Sequence, residues 1–244
     1  MKLLLLAGSG EARMVAEGLT GMAGIDVVAS YAGATQRPAT LPCATRSGGF
    51  GGVEGLREYI RRERIDALLD ATHPYAWRMS ANAAAAARAE NLPHLQLLRP
   101  EWRPEPGDDW TMIATEQQAA EHIRPPARVF LATGRQNLEN FANLDGCWLI
   151  CRRIDPPKAA FPFANGEYLR GRPPFSLADE VALFSRLGLD WLVAKNAGGV
   201  EGRSKLDAAR QLGLRVLMIE RPRQPDCQRV DCVRAALEWV RAGA

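Results

Sequence analysis

Short apolar runs alternate with amphipathic segments along the whole chain. Lys2–Ala7 is a continuous apolar run that ends at a glycine, a pattern typical of a strand buried on both faces of a parallel sheet. Residues 11–22 have apolar side chains at helical spacing, and a second apolar run occupies residues 25–30. This order predicts a β-α-β unit at the start of the chain.

The alternation continues in two series, separated by a segment rich in proline and charge at residues 99–109. We therefore predict an α/β protein with two Rossmann-like lobes, each a mostly parallel sheet flanked by helices, and an active site in the cleft between them. The expected domains are an N-terminal dinucleotide-binding lobe, 1–99, and a C-terminal substrate lobe, 110–224. A terminal amphipathic helix is expected within 226–244, and the sequence does not decide on which lobe it packs.

Composition excludes several classes of protein. The 244 residues are 47% hydrophobic and 24% charged, and no apolar run approaches the ~18 residues of a membrane span. The short apolar run at the start of the chain is followed by Gly-Ser-Gly-Glu rather than by a signal-peptide cleavage site. We therefore expect a cytoplasmic protein. The net charge of +3 without a basic block argues against nucleic acid as a partner. The five scattered cysteines predict neither a disulfide framework nor a metal site, and we expect a monomer or small homo-oligomer.

The first strand leads into a glycine-containing turn before a helix, the place where a diphosphate binds in dinucleotide-binding folds. We predict contacts with a cofactor from the residues of this turn, although Arg13 occupies the third glycine position of the usual fingerprint. A plain glycine turn is the alternative. The predicted residues are Gly8, Ser9, Gly10, Glu11 and Ala12.

The end of the second strand lacks the carboxylate that selects NAD by holding the ribose hydroxyl. Residues 29–37 instead contain Ser30 and Arg37, which could bind the extra phosphate of NADP. We therefore predict NADPH as the cofactor. An ordinary polar loop is the alternative.

Two further loops of the first lobe are candidates. Gly49, Phe50 and Gly51 belong to a run with four glycines in residues 48–52, where the backbone passes close either to a ligand or to a packed strand. Thr72 and His73 follow the next strand. We predict cofactor contacts from both, and His73 is the candidate catalytic proton donor. A structural or merely polar histidine is the alternative.

The second lobe has two loops that place a cation beside flexible backbone. Arg135 and Gln136 follow one strand, and Lys195 and Asn196 follow another. Such loops bind carboxylate or phosphate, so we predict that these four residues bind an anionic small-molecule substrate. Solvated surface cations are the alternative. The sequence contains further positive charges, and it leaves open where these side chains point. They are Arg152, Arg153, Arg170, Arg172 and Lys205.

Seven of these motifs, taken in order, resemble the precorrin-6A reductase family. They are Gly8-Ser9-Gly10-Glu11-Ala12, Gly48-Gly49-Phe50-Gly51-Gly52, Asp70-Ala71-Thr72-His73-Pro74, Thr133-Gly134-Arg135-Gln136, Arg153-Ile154-Asp155-Pro156-Pro157, Arg170-Gly171 with Pro174-Phe175, and Lys195-Asn196 with Gly198-Gly199. The sequence departs from the family pattern at Ala197, where a serine is expected, and at 200–203, which lacks a threonine often found there.

The resemblance implies an oxidoreductase that uses NADPH to reduce one ring double bond of a tetrapyrrole-derived corrin precursor. The reaction is precorrin-6A to precorrin-6B in cobalamin biosynthesis, with the cofactor between the two lobes. Two alternatives stay open: a reductase of the related cobalt-containing intermediate, with either NADPH or NADH, and a non-catalytic NADP-sensing protein. The phosphate-loop and nucleophile-elbow motifs of phosphoryl-transfer enzymes and hydrolases are absent.

Overall fold

The computed structural model describes residues 1–31, 40–154, 156–157 and 159–243, apart from the side chains of Arg135 and Gln136. The chain forms two compact units. One consists of Met1–Pro100 together with Pro222–Ala244, and the other of Glu101–Arg221. In the described part of the chain, no helix combines the length and apolar content needed to cross a membrane.

The first unit is a six-stranded sheet with helices, in the strand order β12-β5-β4-β1-β2-β3. Its paired strands all run parallel. The elements are β1 (Lys2–Ala7), α1 (Gly10–Leu19), β2 (Asp26–Tyr31), β3 (Ala44–Ser47), α2 (Gly52–Glu63), β4 (Ala67–Ala71), α3 (Trp77–Ala89), β5 (His94–Leu97), β12 (Arg229–Val230) and α7 (Val233–Arg241).

The second unit is also a six-stranded parallel sheet, in the order β6-β11-β10-β7-β8-β9. Two 3-10 helices lie at Glu116–Gln118 and Arg135–Phe141. The other elements are β6 (Trp110–Ile113), α4 (Ala119–His122), β7 (Arg128–Ala132), β8 (Trp148–Arg153), β9 (Gly166–Arg170), α5 (Leu177–Leu187), β10 (Trp191–Lys195), α6 (Ser204–Leu212) and β11 (Arg215–Ile219).

The second sheet is built from six consecutive strands, whereas the first takes its sixth strand, β12, from the end of the chain. β6, which follows β5 in sequence, pairs with β11, and β12, which follows β11, pairs with β5. The return of the chain places α7 on the first unit, where Ala236 and Val240 join the core beside α1. A Cβ at Gly18 of α1 would lie 2.7 Å from Cδ1 of Leu237, so the glycine allows this close packing. The position of the terminal helix, which the sequence left open, is therefore on the first unit.

The strands are buried on both faces, as the continuous apolar runs predict. Leu3 and Leu5 of β1 contribute to the core on the α1 and α7 side, whereas Leu4 and Leu6 contribute to the core on the α2 and α3 side. All four are at most 1% exposed. The α/β fold class, with two parallel sheets flanked by helices, is confirmed. The predicted cleft between the lobes stays a prediction.

Several elements differ from the sequence prediction. The edge strands β3, β6, β9 and β12 differ from the sequence prediction, because two to five residues are too short to show a clear apolar period. The strand-to-helix alternation predicts an α-helix over residues 137–143, but these residues lie largely in a 3-10 helix. Residues 99–109, predicted as a surface connection, include the buried Trp102, whose backbone N–H and C=O bond to the side chain of Asn196.

Candidate functional site

The loop between β1 and α1 lies at the carboxyl edge of the first sheet, beside the loop that follows β4. β1 lies between β2 and β4, and the strand order reverses between β1 and β4. Ligands bind at this point in such sheets. A Cβ at Gly8 would lie 3.4 Å from the backbone nitrogen of His73, so the two loops are in close contact. Gly10 is the first residue of α1. Two predicted cofactor loops are thus adjacent.

The side chains of the first loop fix its shape. The Ser9 hydroxyl accepts a hydrogen bond from the backbone N–H of Ala12 (3.2 Å) and donates one to the carbonyl of Ala71 (2.8 Å). Ser9 is therefore the N-cap of α1 and ties the turn to the end of β4. Glu11 forms an ion pair with Arg99 at 2.5 Å, which balances its negative charge next to the turn. Ala12 is buried.

An arginine that sequence reasoning missed reaches the end of β2 from the neighbouring strand β3. Ser30 is only 4% exposed, and its hydroxyl accepts a hydrogen bond from Nη1 of Arg46 on β3 at 2.7 Å. Nη2 of Arg46 donates to the carbonyl of Gly49 (3.3 Å), and the guanidinium lies 4.0 Å from the centre of the Phe50 ring. Arg46 therefore joins Ser30 to the glycine-rich loop. Arg37 lies outside the described residues.

The glycine-rich loop is not explained by close packing of a strand. Modelling a Cβ at Gly49 or Gly51 brings it within 4 Å of no described atom outside its chain neighbours. Gly51 has φ +83 and is the N-cap of α2, a conformation that favours glycine. Gly49 has no such backbone requirement. Close packing of a strand therefore does not account for Gly49, and contact of this loop with a ligand stays a prediction.

The loop after β4 is organised by a buried carboxylate. Oδ1 of Asp70 accepts hydrogen bonds from the backbone N–H of Thr72 (3.0 Å) and from the Thr72 hydroxyl (2.7 Å). The hydroxyl of Thr72 is thus turned toward Asp70. Nδ1 of His73 accepts a hydrogen bond from the backbone N–H of Tyr75 at 3.3 Å. This bond favours the neutral tautomer that carries its proton on Nε2.

In the second unit, Lys195 lies at the carboxyl end of β10 and forms an ion pair with Glu116 at 3.6 Å. Asn137 and Asn140 donate side-chain hydrogen bonds to the two carboxylate oxygens of Glu116 at 2.5 and 3.4 Å. Burial lowers the pKa of Lys195, and the charge of Glu116 offsets part of this effect. Glu116, only 8% exposed, is a second residue that sequence reasoning missed.

Asn196 has a structural role. Its Oδ1 accepts a hydrogen bond from the backbone N–H of Trp102 (2.9 Å), and its Nδ2 donates to the carbonyl of the same residue (3.1 Å). These two bonds engage both polar groups of the side chain. Arg135 and Gln136 belong to the 3-10 helix after β7, but their side chains lie outside the described part of the structure.

The shortness of two edge strands hid the missed residues from sequence reasoning. Arg46 belongs to β3, whose sequence Ala-Thr-Arg-Ser has no apolar alternation, and Glu116 follows the equally short β6. Without the strand, neither residue could be assigned to the carboxyl edge of a sheet. The one available signal was the position of Arg46 just before the glycine-rich loop.

Comparisons with known proteins cover the whole chain. A family model described as "Precorrin-6x reductase CbiJ/CobK" matches residues 2–241. A Rhodococcus erythropolis protein named precorrin-6A reductase is 44% identical over 98% of this chain and 97% of its own length. A Priestia megaterium protein named cobalt-precorrin-6A reductase is 30% identical over 91% of each chain. A solved structure titled "CobK precorrin-6A reductase" matches with a TM-score of 0.94 and 37% identity, covering 99% of this chain and 96% of that one.

Proposed function

Because this chain belongs to the precorrin-6x reductase CbiJ/CobK family, we propose that it is an oxidoreductase that uses NADPH to reduce precorrin-6A to precorrin-6B in cobalamin biosynthesis. The observation that carries the choice of substrate is the end-to-end similarity to the Rhodococcus protein at 44% identity. The relative named for the cobalt-containing substrate is less similar, at 30%. The substrate is therefore the metal-free intermediate.

The residues at the carboxyl edge of the first sheet fit a phosphorylated dinucleotide. The diphosphate binds at the turn of Gly8 and Gly10, where backbone N–H groups at the start of α1 attract negative charge. The additional phosphate of NADPH binds Arg46, whose guanidinium is already oriented by Ser30 and stacked on Phe50. Arg37, predicted for the same phosphate, stays part of the proposal on sequence grounds.

The reaction saturates a carbon-carbon double bond, so one carbon receives a hydride and its neighbour receives a proton. NADPH supplies the hydride when bound, and no metal is needed for this chemistry. The contribution of the protein is to orient the substrate, exclude water and supply the proton. His73 is the proposed proton donor, through Nε2, because its Nδ1 accepts the Tyr75 N–H bond.

The second unit provides the substrate lobe. Precorrin-6A carries several carboxylates, and Lys195 at the end of β10 offers it a cation whose position is fixed by Glu116. Arg135 and Gln136 complete the proposed set on sequence grounds. The side chain of Asn196 holds Trp102, so its contribution to binding is to shape the loop. A cytoplasmic location and a monomer or small homo-oligomer remain part of the proposal.

The test is to mix the purified protein with precorrin-6A and NADPH and to follow the nicotinamide absorbance and the mass of the product. We expect NADPH oxidation with a mass increase of two hydrogens, and slower oxidation of NADH. Binding of NADPH without turnover of precorrin-6A or its cobalt form would favour the NADP-sensing alternative. Turnover of the cobalt form alone would contradict the metal-free substrate.

A further inference from the structure

The carboxyl edge of the second sheet contains two buried polar groups that the proposed function leaves unused. The Oγ1 atom of Thr133 and the Nε atom of Arg153 are both fully buried, and neither has a hydrogen-bond partner among the described residues. Each residue as a whole is only 8% exposed. Burying a polar group without a partner destabilises a protein, so a fold keeps two such groups only at a cost in stability.

Strand register places these two residues in one row with Lys195. Leu131 of β7 pairs with Cys151 of β8 on one side and with Val193 of β10 on the other. Side chains alternate between the faces of a sheet, so residues two positions further along point to the same face. Two positions further along the chain are Thr133, which directly follows β7, Arg153, the last residue of β8, and Lys195, the last residue of β10.

The guanidinium of Arg153 is held in place from two directions. Its Nη2 donates a hydrogen bond to the carbonyl of Pro156 at 3.2 Å, and its centre lies 4.8 Å from the ring centre of Tyr168. These contacts fix the plane of the guanidinium and leave the Nε–H group without a described partner. Its neighbour on the strand is used differently, since Arg152 makes two 2.7 Å hydrogen bonds to Glu180 on the opposite face.

We propose that Arg153 and Thr133 form a pocket for one carboxylate of the substrate, next to Lys195. A carboxylate accepts one hydrogen bond from the Arg153 Nε–H and another from the Thr133 hydroxyl, and so satisfies both buried groups. The inference rests on the proposed function for the identity of the substrate. It adds a subsite to the lobe for which the sequence had predicted only Arg135, Gln136, Lys195 and Asn196.

The variant Thr133→Val distinguishes a binding role from a structural one. Valine has almost the same shape and removes a buried hydroxyl without a described partner, so the thermal midpoint of the protein without ligands should stay the same or rise. Its affinity for precorrin-6A should fall about tenfold, because a hydrogen bond to a charged group is lost. Affinity is measured without NADPH, through the quenching of tryptophan fluorescence by precorrin-6A.

Arg153→Gln should weaken precorrin-6A binding about ten- to a hundredfold, and Arg153→Lys should restore only part of it, because lysine lacks the planar set of donors. The matched control is Arg215→Gln, which removes the same charge at the amino end of β11, where the guanidinium lies over Trp191. The control should bind precorrin-6A as the parent does. All variants should bind NADPH with parental affinity.

Parental precorrin-6A affinity in both Thr133→Val and Arg153→Gln would overturn the pocket while leaving the proposed function intact. Loss of NADPH affinity in these variants would also overturn it, because the row would then hold the cofactor. A marked fall in the thermal midpoint of Thr133→Val would show that the hydroxyl has a structural role instead. If the parent protein itself neither binds nor reduces precorrin-6A, the proposed function fails, and the pocket fails with it.

Discussion

Replacing Arg46 with methionine tests which residue selects the phosphorylated cofactor. Arg46 reaches the end of β2 from β3, and its guanidinium bonds to Ser30 at 2.7 Å and to the Gly49 carbonyl at 3.3 Å. These bonds use two of the five N–H donors of the side chain and leave others for a phosphate. Methionine keeps an unbranched stem over Phe50 but removes the charge and all of the donors.

The magnitude follows from the loss of charge-assisted hydrogen bonds. Such a bond contributes ~1.5–3 kcal/mol, which corresponds to about a ten- to hundredfold weaker affinity for NADPH. NADH has a hydroxyl in place of the phosphate, so its affinity should hardly change. The preference for NADPH over NADH should therefore shrink by about the same factor.

The assay is nicotinamide fluorescence on titration of each cofactor into the protein without substrate. The matched control is Arg62→Met on α2, where the guanidinium lies 5.3 Å from the ring of Tyr59 and pairs with Glu63. This control removes the same charge and a similar ring contact but no bond to Ser30. Its titration curves should match those of the parent.

A parental NADPH affinity in Arg46→Met would refute the role of Arg46. A parallel variant, Arg37→Ala, then decides whether the residue predicted from the sequence alone selects the cofactor. An equal loss of NADH and NADPH affinity in Arg46→Met would mean instead that Arg46 shapes the glycine-rich loop rather than contacting the phosphate.

Three further variants test other parts of the site. Gly10→Val should abolish NADPH binding while the circular dichroism spectrum stays native, because a side chain obstructs the approach of the diphosphate, and parental affinity would move the site elsewhere. Substrate affinity should fall as the pH rises and Lys195 loses its proton. In Glu116→Gln this fall should occur at lower pH, because the Glu116 charge raises the pKa of Lys195 against the lowering effect of burial. An unchanged pH profile of KM would contradict this. Gly55→Ala should lower the thermal midpoint by about 2–4 °C per kcal/mol lost, since the new Cβ would clash with the Phe50 carbonyl oxygen, and an unchanged midpoint would count against this close contact.

The sequence alone was sufficient for the parts of the fold that depend on local apolar patterns. The run Leu3 to Leu6 has to be buried on both faces, and a glycine turn followed by an amphipathic segment has to start a helix, so β1, the turn and α1 were predictable. The same patterns located Gly8, Gly10, His73 and Lys195 at the carboxyl ends of strands, because each directly follows or ends an apolar run.

Only the tertiary structure decided which side chains come together across strands. The pairing of Ser30 with Arg46 and the row of Arg153, Thr133 and Lys195 depend on strand order and register, which involve residues far apart in sequence. The edge strands, of two to five residues, are too short to show a period locally. The place of β12 beside β5 is likewise fixed by hydrogen bonds between distant segments, such as the one from the Gln96 backbone nitrogen to the Gln228 carbonyl, and no periodicity within either segment encodes its partner.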